Sequence, residues 1–239
     1  MPLPVKDVQD LEPGGSKTRL FKRQHFYCSS QSIITLHPFT ITNVNCSPAI
    51  TNVGGRPCVS LAGAGSATDG SNHCDAVASL MLVAGKQTRI TFGVRSADAT
   101  AHEWNVGLST VTTTSQANIS GGTPAANYAL LYKTEASTAV RFGSRKGSGT
   151  AELATTSLTV ADATWYDFEI VITMDGSIAG QGRIVVNVRT NGGAPVKILD
   201  TQQGSLPDTV VTALVWGFLE GDTGTDATVV SEVTIEQEY

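Results

Sequence analysis

The stretch "WYDFEIVITMDG" (165–176) constrains this chain more than any other. Tyr166, Phe168, Ile170, Ile172 and Met174 recur at every second position, with Asp167, Glu169 and Thr173 between them. Period two is the signature of a pleated strand with one dry face and one wet face. "DGSIAGQG" then turns the chain, and "RIVVNVRT" repeats the pattern with Ile184, Val186 and Val188 on the dry side. "NGG" turns it again before "PVKIL", so the segment reads as a β-meander. A sheet of this kind has to cover its dry face with a second layer.

The rest of the chain is built alike. "SIITL", "FTITNV", "RPCVSLAG", "VASLMLVAG" and "TRITFGVR" are short β-rich runs, separated by Gly, Asn, Ser and Pro clusters such as "NVGG" and "TDGSNH". "TALVWGFLEG" and "ATVVSEVTIEQEY" complete the set. In the last run Val229, Val233 and Ile235 are expected inward, and Thr228, Glu232, Thr234 and Glu236 outward. Charged residues make up only 15% of the chain and hydrophobic ones 41%, which favours many strands and tight turns over helices. The expectation is an all-β, two-sheet antiparallel sandwich over residues 31–239. "STVTTTSQANISGGTPAAN" reads as a polar surface loop. Residues 1–30 read as an extended arm, because Pro2, Pro4, Pro13 and "PGG" prevent a helix and leave few apolar residues for a core.

A net charge of -5 argues against a nucleic-acid binder, which needs a basic face to displace counterions. The arm departs from that balance: "SKTRLFKRQHF" carries Lys17, Arg19, Lys22 and Arg23 with no acid among them, and ends on Phe26. Neither a secretory leader nor an apolar run long enough to cross a bilayer is visible, so assembly in a cytoplasm without membrane partners is expected. Cys28, Cys46, Cys58 and Cys74 form no CxxC pair and match no zinc-site spacing, so thiols are expected and a metal site is not.

The order of the later segments carries a resemblance. "NVGLS" (105–109) is followed by the aromatic, Lys-bearing "YALLYK", then "WYDFEI" (165–170), the "SLPD" link (205–208) and a closing strand. Over residues 88–239 this resembles the concanavalin A-like (LamG-type) jelly rolls of structural proteins of tailed bacteriophages. The resemblance implies a jelly-roll sandwich in a virion structural protein, of the capsid decoration or cement type, assembled in the host cytoplasm. Its partners would be the major capsid protein or other virion proteins, in a symmetric homo-oligomer. The basic arm, with Lys17, Arg19, Lys22, Arg23 and Phe26, is the candidate docking segment.

The same fold hosts glycoside hydrolases, and a retaining one needs two carboxyls about 5 to 5.5 Å apart. Asp167 and Glu169 share a strand face, but the E-x-D-x-x-E spacing of that family is absent, so they read as a solvated face. There is no G-x-S-x-G elbow and no Walker-type phosphate loop, and "RFGSRKGSG" reads as a hairpin tip. No enzyme and no cofactor is expected. The alternative is a lectin-like module of a tail or fibre, for which Trp104, Trp165 and Trp216 are the candidate glycan or interface aromatics. Glu220, Asp222 and Asp226 crowd a Gly-rich segment but do not make an EF-hand loop, and read as a turn.

Overall fold

A computed structural model describes residues 21–27, 39–46, 48–62, 70–75, 80–110, 127–219 and 227–238. Among them the chain forms two antiparallel sheets and no helix. The larger sheet runs in the order β13 (Val196–Gln203), β12 (Gly182–Thr190), β11 (Tyr166–Met174), β6 (Gln87–Ser96), β15 (Ala227–Glu238), β4 (Arg56–Ala62) and β3 (Ala49–Val53). An eighth strand, β1 (Phe21–Tyr27), lies beside β15. The smaller sheet runs β10 (Glu152–Thr159), β9 (Ala139–Arg145), β8 (Tyr128–Lys133), β7 (Glu103–Ser109), β14 (Ala213–Leu219), β5 (Gly70–Asp75) and β2 (Phe39–Val44).

The meander appears as β11–β12–β13, in the expected register. Tyr166, Phe168, Ile170, Ile172 and Met174 are buried, and Ile184, Val186 and Val188 join them in the core between the sheets. The smaller sheet meets them with Trp104, Val106, Leu108, Phe142, Leu214, Trp216 and Phe218. Trp104 packs its ring against both Phe92 and Phe168, with centroids 5.8 and 5.4 Å apart.

The closing strand departs from simple alternation. Val230 faces Val94 on β6, but the next pair is Glu232 with Gly93, so Ser231 is an extra residue forming a β-bulge. A bulge shifts side-chain parity on one side of itself. Val233 and Ile235 point inward as expected, but beyond the bulge Val230 replaces Val229 in the core. Thr228 also turns inward, where its hydroxyl lies 3.1 Å from the Ser96 hydroxyl and 3.0 Å from the ring nitrogen Nδ1 of His102. The expected positions of Val229 and Thr228 are therefore exchanged.

The arm differs from its expectation too. Residues 21–27 pair with β15 from Glu232 to Glu238, while β4 pairs with it only from Ala227 to Val230. The bulge marks the junction. Pro57 lies two residues beyond Val59, the last residue of β4 paired to β15, and it has no N–H with which to continue that ladder. The second half of β15 is left open to β1. The rest of the expected arm, the loop over residues 111–126 and the acidic turn at 220–226 lie outside the described residues.

Candidate functional site

Freed from β15, the β3–β4 hairpin reaches across the outer face of the larger sheet. Its two-residue turn, Gly54–Gly55, has φ of 64° and 81°, a left-handed pair that glycine adopts without steric cost. The next residue, Arg56, donates from Nη2 to Asp167 Oδ1 on β11 at 2.8 Å. Its guanidinium also lies 4.7 Å from the centre of the Trp165 ring. Arg56 thus forms one wall of a half-open groove of about 580 Å³, with Arg189, Pro195 and Lys197 on the opposite wall.

The floor of the groove is two rows of side chains running across four strands. One row is Asp167, Gly93 and Glu232, ending at Arg189 in the wall; the other is Asn187, Glu169 and Thr91, continuing outside the groove to Thr234. Gly93 adds no side chain to the floor. A methyl group there would overlap the Ser231 hydroxyl and come within 2.9 Å of Asp167 Oδ1, so the bulge and the glycine require each other. Ser231 is 8% exposed, and its hydroxyl has no hydrogen-bond partner among the described residues. Glu169 accepts from Asn187 Nδ2 at 2.9 Å and pairs with Arg89 Nε at 3.3 Å. The Thr91 and Thr234 hydroxyls bond each other at 2.6 Å. Both carboxylates of the strand face therefore have cationic or amide partners, an arrangement suited to holding a surface in shape.

A second polar cluster sits at one end of the sandwich. Lys133 is buried and donates from Nζ to the His102 carbonyl. Burial pushes its ammonium down to about 8, against the opposing pull of Glu103, Asp98, Glu135 and Asp162. Glu103 Oε1 accepts from the Glu135 amide at 3.1 Å, and Asp98 Oδ1 accepts from the Thr100 and Ala101 amides. The Glu135 bond ties the turn at 134–138 to β7, and the Asp98 bonds close the turn at 97–102 on itself. Among the described residues, no three His, Cys, Asp or Glu side chains gather to hold a metal ion.

The residues singled out in the sequence separate under this geometry. Trp104 and Trp216 are 2% and 0% exposed in the core, so neither offers a platform to a ligand. Their burial follows from inward parity on β7 and β14. Trp165 precedes β11, is half-buried, and is stacked against Arg56 at the rim of the groove. Lys22, Arg23 and Phe26 lie within β1, paired in register with Gln237, Glu236 and Val233. Lys17 and Arg19 are outside the described residues, as are Cys28, Glu220, Asp222 and Asp226. Cys46 and Cys58 are buried. Burial also raises the Cys58 thiol. Arg56, Asn187, Arg189 and Glu232 were not anticipated. "NVGGRP" carried a signal for Arg56: a Gly-Gly hairpin followed by a cation and then a proline that must leave the ladder.

No family model and no curated protein matches the sequence. Solved structures do match. A protein of unknown function from Shewanella oneidensis MR-1 superposes with a TM-score of 0.60 at 13% identity, over 95% of this chain and 90% of that one. Arcelin-5, a lectin-like defence protein from Phaseolus vulgaris, gives 0.56 at 10% identity over 92% and 99%. The fold is a concanavalin A-like, two-sheet antiparallel sandwich. The CBM2 module of the evolved Dit protein of Lactobacillus casei BL23 phage J-1 shares it, with a TM-score of 0.53 at 11% identity over 92% and 97%. Identities this low speak for the fold alone.

Proposed function

We propose that the protein is a non-enzymatic structural component of a tailed-phage particle that decorates the head and binds neighbouring capsid subunits. The observation that carries the binding part is the state of Asp167 and Glu169. On the strand face where a sandwich hydrolase would need a free acid and a free base, each carboxylate is paired with arginine. The phage part rests on the segment order of residues 88–239 and is compatible with the sandwich shared with a phage Dit module.

Docking by the basic N-terminal segment belongs to this proposal, with one adjustment. Lys22, Arg23 and Phe26 are in β1, so docking is assigned to residues 1–20, with Lys17 and Arg19. Symmetric copies of the chain are expected on the particle. Proteomics and imaging of purified particles test the reading: copies on the capsid lattice support it, and absence from the particle overturns it. Removing residues 1–20 should weaken particle binding while leaving the sandwich folded; unchanged affinity would assign docking to the sandwich instead.

A second reading, a carbohydrate-binding module of a tail or fibre, is favoured by a different observation. The groove on the larger sheet is polar, half-open and of ligand size. Hydrolysis of a polysaccharide that is lost on Glu169→Gln would contradict both readings.

A further inference from the structure

We propose that the groove on the outer face of the larger sheet binds an uncharged saccharide, with Asp167, Glu169 and Asn187 as the groups that hold its hydroxyls. The inference rests on the second reading above and does not depend on head decoration.

Charge comes first. The ionisable side chains lining the groove are Arg56, Arg189, Lys197, Asp167, Glu169 and Glu232, three cations and three anions. A balanced lining offers no net attraction to a polyanion or a polycation. It does offer closely spaced donors and acceptors. Carboxylates, a carboxamide and guanidinium groups on neighbouring strands stand about 4.8 Å apart across the sheet. Ligand hydroxyls donate to carboxylates and accept from amide and guanidinium N–H groups. These groups are already held in place, Glu169 by Asn187 and Arg89 and Asp167 by Arg56, so little side-chain order is left to impose on binding.

The floor points the same way. Gly93 contributes no side chain to the floor between Asp167 and Glu232, which stays low and polar there, with Ser231 packed into the place a Gly93 Cβ would take. A peptide fits less well. The groove lies on the face of paired strands rather than along an open edge, and its apolar members Phe92, Phe168 and Val188 are buried in the core below. The Trp165 face stacked with Arg56 is taken, so hydrogen bonds rather than ring stacking supply most of the affinity, which places the dissociation constant near the millimolar range, roughly 4 kcal/mol of binding.

The test is an NMR titration of the isotope-labelled full chain with defined probes: maltotriose, chitotriose and a rhamnose oligomer as neutral sugars, trigalacturonate as an acidic sugar, and inorganic phosphate as a bare anion. At least one neutral sugar should shift the amides of Gly93, Asp167, Asn187 and Lys197 together. Asn187→Ala and Glu169→Gln should each weaken that binding by about tenfold or more. Both changes lie on a solvent-facing surface, and unchanged far-UV dichroism would confirm that the variants fold. Binding by trigalacturonate or phosphate alone, shifts mapping to another face, an effect that survives both substitutions, or no shift with any neutral sugar at 20 mM (~20 mM ceiling, about fivefold above a few-millimolar constant) would overturn the assignment. None of these outcomes bears on particle decoration, which the particle inventory tests separately.

Discussion

The outer faces of the two sheets follow different rules. On the larger sheet, β11 and β12 alternate strictly: Asp167, Glu169 and Val171 are half-buried between core neighbours, and so are Val185 and Asn187. On the smaller sheet, every residue of β7, β8 and β14 is buried. Tyr128, Leu130, Tyr132, Ala213 and Val215 form a second apolar cluster, separate from the core between the sheets. The tyrosine rings lean over Gly143, which has no side chain to obstruct them. One sheet therefore presents a wet, charge-balanced surface, and the other is dry on both sides along β7, β8 and β14. A strand with one wet face announces itself by alternation, whereas a strand buried on both faces reads only as an apolar run such as "ALVWGFL".

The largest test of this contrast is a matched pair of lysines. Val215→Lys places an ammonium in the outer apolar cluster and is expected to cost about 4 kcal/mol or more. Val185→Lys, on the half-buried face of β12, should stay within about 1 kcal/mol. Equal melting temperatures for the two variants would show that the outer face of the smaller sheet is open to water.

Gly93→Ala examines the wet face at its tightest point. Overlap with the Ser231 hydroxyl should cost about 1–3 kcal/mol, and Gly93→Ala combined with Ser231→Gly should recover most of that loss. Additive losses in the double-mutant cycle would remove the coupling between the bulge and the glycine.

Lys133 offers a pH test of the buried end. Its folded pKa is depressed to about 8, below the ordinary value of 10.5, so the unfolded chain binds more protons between those limits. Stability should therefore rise as pH climbs from 8 toward 10.5, and Lys133→Met should abolish that slope in denaturant melts. Tyr128 and Tyr132 act in the opposite sense. Burial raises both phenols, so their contribution is lost as pH rises past the ordinary tyrosine range near 10. A wild-type curve that is flat from pH 8 to 9.5 would contradict the buried ammonium. The smallest effect is expected beside the groove, where Arg89→Ala removes a half-exposed partner of Glu169 and should change stability by no more than about 1 kcal/mol.

Much of the architecture was legible because period two survives wherever one face is wet. The meander, its inward residues and the solvated positions of Asp167 and Glu169 all followed from alternation. The same rule misplaced Thr228 and Val229, because a single bulged residue reverses parity and no local composition marks it. It also could not rank the tryptophans. Trp104 and Trp216 carry the same aromatic surface as Trp165, and only their strands' orientation in the sandwich buries them. The groove was the least legible feature. Its members come from β4, β6, β11, β12, β13 and β15, distant in sequence and joined only by register.

Taken by itself, the sequence determined that this chain makes antiparallel strands, that they stack in two layers, and which face of the meander is dry. Those properties reside in the side-chain period and in turn residues, both of which are local. Tertiary structure decided that β4 yields half of β15 to β1, that Arg56 crosses to Asp167 and Trp165, and that a groove lies beneath them. These depend on where two ladders end relative to one bulge, a relation between segments more than a hundred residues apart (Pro57 and Ser231).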